Sequence, residues 1–138
     1  MSHEKAWKLQ KWAWVGFIAL FLAGCGLGGP AHKEPARDAD AVIDMGFMVF
    51  EPNMLTIHKG ETVEFRNTAL ITHTVTDEPA KADKPSYAAL PAGAVPFDSG
   101  KISAGGVYKH TFSVAGTYKY YCKIHDEHGM LGTVIVTP

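Results

Sequence analysis

An all-β fold, a two-sheet antiparallel Greek-key sandwich of seven to eight strands, is the architecture this sequence predicts. Three observations carry the expectation. Residues 41–138 break into short stretches in which apolar and polar side chains alternate. Gly, Pro, Asn and Asp punctuate those stretches as turn formers. No long amphipathic helix and no internal repeat interrupts them, so the apolar strand faces have only one another to pack against.

The elements follow in order. Ala41 to Phe50 reads as apolar and extended, and Glu51-Pro52-Asn53 as the turn or break that ends it. Leu55 and Ile57 alternate with Thr56 and His58, which turns His58 to solvent. Lys59-Gly60-Glu61 reverses the chain, and Val63 and Phe65 then alternate with Glu64 and Arg66 in a half-buried strand. His73-Thr74-Val75-Thr76 reads as the next strand. Residues 77–96 are Pro-rich and without a period, a long excursion with a short helical turn near Tyr87-Ala88-Ala89-Leu90. After a turn from Lys101 to Gly106, Tyr108, His110 and Phe112 share one side of a strand, with His110 partly buried. Gly116 to Tyr121 is a strand whose inner face carries Tyr118, Tyr120 and, one step beyond its end, Cys122. Tyr118, just after Gly116, is placed for the hydrogen-bonded corner of a Greek-key sandwich. Gly132 to Val136 is the last strand.

The loop between these last two strands holds Cys122, His125 and Met130, and His73 lies well upstream. A thiolate, two imidazoles and a weak thioether are the donor set of a mononuclear electron-transfer copper site. Sulfur favours Cu(I), while imidazole suits both oxidation states. A mixed set holds the metal in a geometry that suits neither state alone, so little rearrangement accompanies electron transfer. Cys-x2-His alone is weak, because a lone Cys is more often a small buried apolar residue. The conjunction with Met130, between two strands, carries the weight.

At this point the chain resembles the cupredoxins, the blue type 1 copper proteins of the plastocyanin and pseudoazurin kind. The matching residues are Gly60 to Asn67, Thr72-His73-Thr74-Val75, Phe97 to Gly100, Gly116-Thr117-Tyr118, Tyr121 to His125 with Met130, and Gly132 to Val136. The resemblance spans about residues 41–138, and the spacing Cys-x2-His-x4-Met is that of plastocyanin and pseudoazurin. It implies one copper held by His73, Cys122, His125 and Met130. It also implies that His125 reaches the surface within an apolar patch, for which Ala69, Leu70, Ile71 and Leu131 are candidates. Two departures stand out. Thr74 replaces an Asn that bridges the ligand loops in several relatives, and Asp126, Glu127 and His128 make the loop unusually polar. Asp126 and Glu127 are expected either to rim the patch with negative charge, drawing a basic partner, or only to keep the loop soluble. His128 is expected either to add a pH-dependent charge near the site or to be inert.

The formal net charge of −1 points away from nucleic acid. Lys5, Lys8 and Lys11 precede an uncharged apolar run from Trp12 to Ala23, which ends in Leu22-Ala23-Gly24-Cys25. This resembles a bacterial lipoprotein signal, in which Cys25 takes a diacylglycerol and becomes the first mature residue. The expected organisation is therefore residues 1–24 as signal peptide, 25–40 as lipidated N-terminus and flexible linker, and 41–138 as the copper domain. The alternative is a single uncleaved transmembrane anchor, since Trp12 to Ala31 is uncharged over about 20 residues. Both place the domain on the periplasmic or extracellular face of a membrane. Since Cys122 and Cys25 each have a role, a disulfide between them is not expected.

Three functions compete. The first is a monomeric one-electron carrier serving redox proteins such as a c-type cytochrome, an oxidase or a reductase. The second is a protein that stores or delivers copper, for which the same ligands would serve in a looser site. The third is a copper enzyme, which needs further clustered His; His58, His110 and His128 are scattered. A binuclear centre would need a second Cys in the loop, and a red copper site would lack the Met130 sulfur.

Overall fold

The computed structural model describes residues 38–138. The signal peptide or anchor, Cys25 and nearly all of the linker lie outside the described residues. Seven strands form two sheets. One sheet joins β1 (Ala41–Gly46), β2 (Val49–Glu51), β4 (Thr62–Asn67) and β5 (Val107–Thr111) in the order β2-β1-β4-β5. The other joins β3 (Met54–His58), β6 (Gly116–Tyr121) and β7 (Leu131–Thr137) in the order β3-β7-β6. Among the described residues no helix is long and apolar enough to cross a membrane.

The all-β sandwich is as expected, and its sheets are mixed. β1 pairs with β4 in parallel, Ile43 opposite Phe65, and β3 pairs with β7 in parallel, Ile57 opposite Val136. The remaining pairs are antiparallel. The chain leaves the first sheet after β2, runs β3 in the second, and returns for β4. Strands brought together by such crossings are not bound to the antiparallel sense that a hairpin imposes. Ala41 to Phe50 is likewise two strands, because the chain folds back at Phe47-Met48, with Met48 at φ 57°. The helical turn expected near Tyr87 falls earlier, in two 3-10 turns at Pro79–Lys81 and Pro85–Tyr87. Each starts on a proline, whose fixed φ suits a first helical position.

Alternation becomes burial as predicted. Val63 and Phe65 are fully buried, as are Ile43 and Met45 on the neighbouring strand, while His58 is exposed and His110 half-buried. The Tyr120 ring meets Phe50 edge-on at 4.8 Å and Phe65 at 5.3 Å. It also lies over its cross-strand neighbour Gly132, where a side chain would collide with it. Tyr118 Oη donates to the Val114 carbonyl at 2.8 Å, which makes the expected corner.

The excursion is tied to the core at Asp77. Its Oδ1 accepts from the Phe97 amide at 2.8 Å, and its Oδ2 is buried with no partner. Burial pushes this carboxyl from the ordinary 3.8 up to about 6. The folded protein therefore binds more protons than the unfolded chain between those values, and stability falls as pH rises through that window. The loss should reach about 3 kcal/mol at most. Urea unfolding between pH 4 and 6.5 is expected to show this slope in the wild type and a flatter one in Asp77→Asn. Equal slopes would exclude Asp77 as the source.

Candidate metal centre

The site forms where three segments meet. β6 ends at Tyr121 and delivers Cys122 to the interior, fully buried with its thiol free. The chain then folds on itself: the His125 amide donates to the Cys122 carbonyl at 2.9 Å and the Met130 amide to the His125 carbonyl at 3.2 Å. Between them runs a 3-10 turn, Asp126–His128. Gly129 follows at φ 80°, a left-handed conformation that only glycine adopts without strain. The Cys122 amide closes the loop by donating to the Met130 carbonyl at 3.1 Å, so β7 can start at once.

The third segment brings His73. It was expected as a strand; instead it is a buried extended stretch held by isolated bridges, His73 to Ile102 and Thr76 to both Asp98 and Tyr121. Residues 73–76 thus reach from the β5 side of one sheet to β6 of the other, and no single sheet owns them. Buried Asn67 shapes the approach. Its Nδ2 donates to the Ile71 and Ile102 carbonyls at 2.8 and 2.9 Å, and its Oδ1 accepts from the Ala69 amide at 2.9 Å.

Three of the four predicted residues present donor atoms to one point. The nitrogens of His73 and His125 and the sulfur of Cys122 all lie within 4.8 Å of one another. Cys122 Sγ stands 3.7 Å from His73 Nδ1 and 3.4 Å from His125 Nδ1. Three atoms about 2 Å from a shared metal in a trigonal plane stand about 3.5 Å apart, so the spacing fits one such ion. Met130 is fully buried at the end of the same loop. Burial, then the neighbouring His125, holds the His73 imidazole below its ordinary pKa; burial, then His128, does the same to His125. Neutral imidazole is the metal-binding form. The other histidines lie elsewhere. His58 bonds to Thr137, His110 packs on Phe97 and Phe112, and the exposed His128 ring is 6.5 Å from that of His125.

Thr74 joins the two ligand-bearing segments. Its amide donates to Cys122 Sγ at 3.3 Å, and its hydroxyl oxygen accepts from the Lys123 amide at 2.8 Å. Thr74 thus makes the bridge between the two segments itself. Asp126 departs from the expectation of a negative rim. It is buried, its Oδ2 accepting from the Asp83 amide at 3.2 Å and its Oδ1 from the Glu127 amide at 3.0 Å. Only Glu127 of the pair is exposed. The sequence signals for Asn67, Thr74 and Asp126 are small polar residues beside ligand segments, and their partners lie up to 49 positions away.

Four residues were expected to form an apolar patch around the site. Leu70 is 96% exposed, while Ala69, Ile71 and Leu131 are half-buried. His73 and Cys122 are wholly covered, whereas His125 keeps 9% of its surface.

Comparison with known proteins agrees with this geometry. The sequence profile of the copper binding proteins of the plastocyanin/azurin family matches residues 38–137. Plastocyanin of Nostoc punctiforme is 38% identical over 122 residues, 86% of each chain. Chloroplastic plastocyanin of Chlamydomonas reinhardtii is 39% identical over 127 residues, 88% of this chain and 75% of that one. Among solved structures, the Cu(I) form of an amicyanin variant superimposes with a TM-score of 0.58 and 28% identity, over 73% of this chain and 85% of that one. The donor set suits one type 1 copper, the fold is that of a cupredoxin, and the profile spans the whole sandwich. The chain therefore belongs to the plastocyanin/azurin family of copper-binding proteins.

Proposed function

We propose that His73, Cys122, His125 and Met130 hold one copper, and that the protein is a one-electron carrier whose His125 edge is the port for electrons. Copper-based electron transfer is the work of this family, and the bound ion would supply the exchange between Cu(I) and Cu(II). The observation that carries the reading is the trio of donor atoms brought within 4.8 Å of one another inside the core.

The chain's own part is to hold and shield. The two-sheet frame fixes the donors, which keeps rearrangement small between oxidation states. The Thr74 amide donates to the Cys122 sulfur and so helps to fix its position. His73 anchors the interior side of the site. Leu70, almost wholly exposed, offers an apolar contact to a redox protein such as a c-type cytochrome, an oxidase or a reductase. A carrier should exchange electrons rapidly with a small cytochrome while keeping its copper against a chelator. Rapid copper loss with slow electron exchange would favour storage or delivery instead.

The same reading places the protein outside the cytoplasmic membrane, anchored by lipid on Cys25. The motive is the Leu22-Ala23-Gly24-Cys25 ending of the apolar run. Mass spectrometry of the mature protein should find acylated Cys25 as its first residue, and Cys25→Ala should lose the label of a fatty-acid probe. A mature chain that keeps residues 12–24 would mean a transmembrane anchor.

A further inference from the structure

The excursion between Asp77 and Pro96 touches the ligand loop at two points that bracket Cys122 and His125. Tyr121 immediately precedes Cys122, and its Oη donates to the Glu78 carbonyl at 3.0 Å. Asp126 immediately follows His125, and its Oδ2 accepts from the Asp83 amide at 3.2 Å. Both side chains are buried, with 0% and 5% of their surface exposed. The 3-10 turn Pro79–Lys81 spans the interval between the two contacts. It is fastened from outside by Lys81, which pairs with Glu78 at 2.7 Å and Asp98 at 3.2 Å.

Asp126 opens the turn that carries the chain from His125 to Met130. The Gly129 amide returns to the Asp126 carbonyl at 2.9 Å, and the Met130 amide returns to the His125 carbonyl at 3.2 Å. The backbone of this turn bonds within the ligand loop and to Cys122, and Asp126 Oδ1 accepts from the Glu127 amide inside it, whereas Asp126 Oδ2 reaches outside it to Asp83. Glu127 and His128 are exposed. Shifting Asp126 therefore shifts the His125 ring and the Met130 approach together.

We propose that residues 78–83 are a strap that sets the ligand loop, and that Asp126 is its positioning residue, holding the turn between His125 and Met130 against the Asp83 amide. The inference rests on the reading of these residues as copper ligands. The strap acts through the hydrogen bond, so removing either partner should move the site in the same direction. A burial or charge effect of Asp126 alone would not involve Asp83.

That difference gives the test. In the full-length, copper-reconstituted protein, Asp126→Ala removes the acceptor. Asp83→Pro removes the donor from an exposed position, and Ala82 before it, at φ −82° and ψ 145°, already has the extended backbone that a following proline requires. Each variant is expected to release copper to excess chelator about tenfold faster, the usual scale for losing a group that orients a ligand. Each should also shift the thiolate-to-copper bands and the EPR spectrum in the same direction. The double variant should match Asp126→Ala alone, since that change already breaks the bond Asp83→Pro removes, along with the Asp126 contact to the Glu127 amide. Apoprotein unfolding followed alongside separates these shifts from a general loss of stability. Wild-type behaviour of Asp83→Pro, or summed effects in the double variant, would overturn the strap. A wild-type protein without any thiolate band would sink the copper reading and the strap with it.

Discussion

Cys122→Ser is expected to abolish the visible colour of the copper-loaded protein altogether. The intense band of such a site arises from charge transfer between a thiolate and Cu(II), and an alcohol oxygen supplies no equivalent. The fold should survive, because serine is close in size and the Thr74 amide, 3.3 Å from the sulfur, can donate to its oxygen. Far-UV circular dichroism of the variant should match the wild type while its visible spectrum is empty. Met130→Leu makes the opposite forecast. It should keep copper and colour and raise the reduction potential, since losing a weak axial donor disfavours Cu(II). Full colour in Cys122→Ser would remove the cysteine from the site. An unchanged potential in Met130→Leu would leave Met130 as packing alone.

Gly132→Ala is expected to be among the most damaging single-methyl additions in the sandwich. A Cβ at Gly132 would enter the space of Cζ, Cε2 and Oη of Tyr120. That ring has no room to withdraw, because Phe50 and Phe65 meet it edge-on and the side chain is fully buried. Either β7 moves away from β6 or the aromatic cluster repacks. Overpacking of this kind costs typically 1–3 kcal/mol, and the boxed-in ring puts Gly132→Ala at about 3 kcal/mol. For a domain of this size, that lowers the midpoint of thermal unfolding by roughly 12–20 °C. Tyr120→Leu should relieve much of the clash, so the double variant should lose less than the two single changes added together. Strict additivity would show that the two residues do not contend for the same space.

The ligand loop was legible because it carries its own ruler. Cys122, His125 and Met130 are separated by a few residues, and the strands that deliver them alternate cleanly. The Tyr118 corner and the half-burial of His110 were legible for the same reason, being local consequences of a two-residue period. Long-range pairing hid the rest. Within Ala41 to Phe50 only Gly46 hints at the fold-back at Phe47-Met48, and the apolar residues on both sides of it read as one extended stretch. Nothing near His73 reveals that its segment answers to Ile102 and Tyr121 rather than to one neighbouring strand. Asp126 in a run of polar residues reads as solvated, and its burial depends on an amide 43 positions earlier.

The unequal covering of the four proposed ligands would also govern who can reach a metal held between them. His73, Cys122 and Met130 show no surface, and His125 alone keeps an exposed edge. If that edge is where electrons leave, it is also the nearest doorway for an ion to enter or for a scavenger to extract one. Docking and demetallation then compete for the same few square ångströms. A carrier engaged with its redox partner is sheltered from copper theft, and it is vulnerable only while travelling between partners.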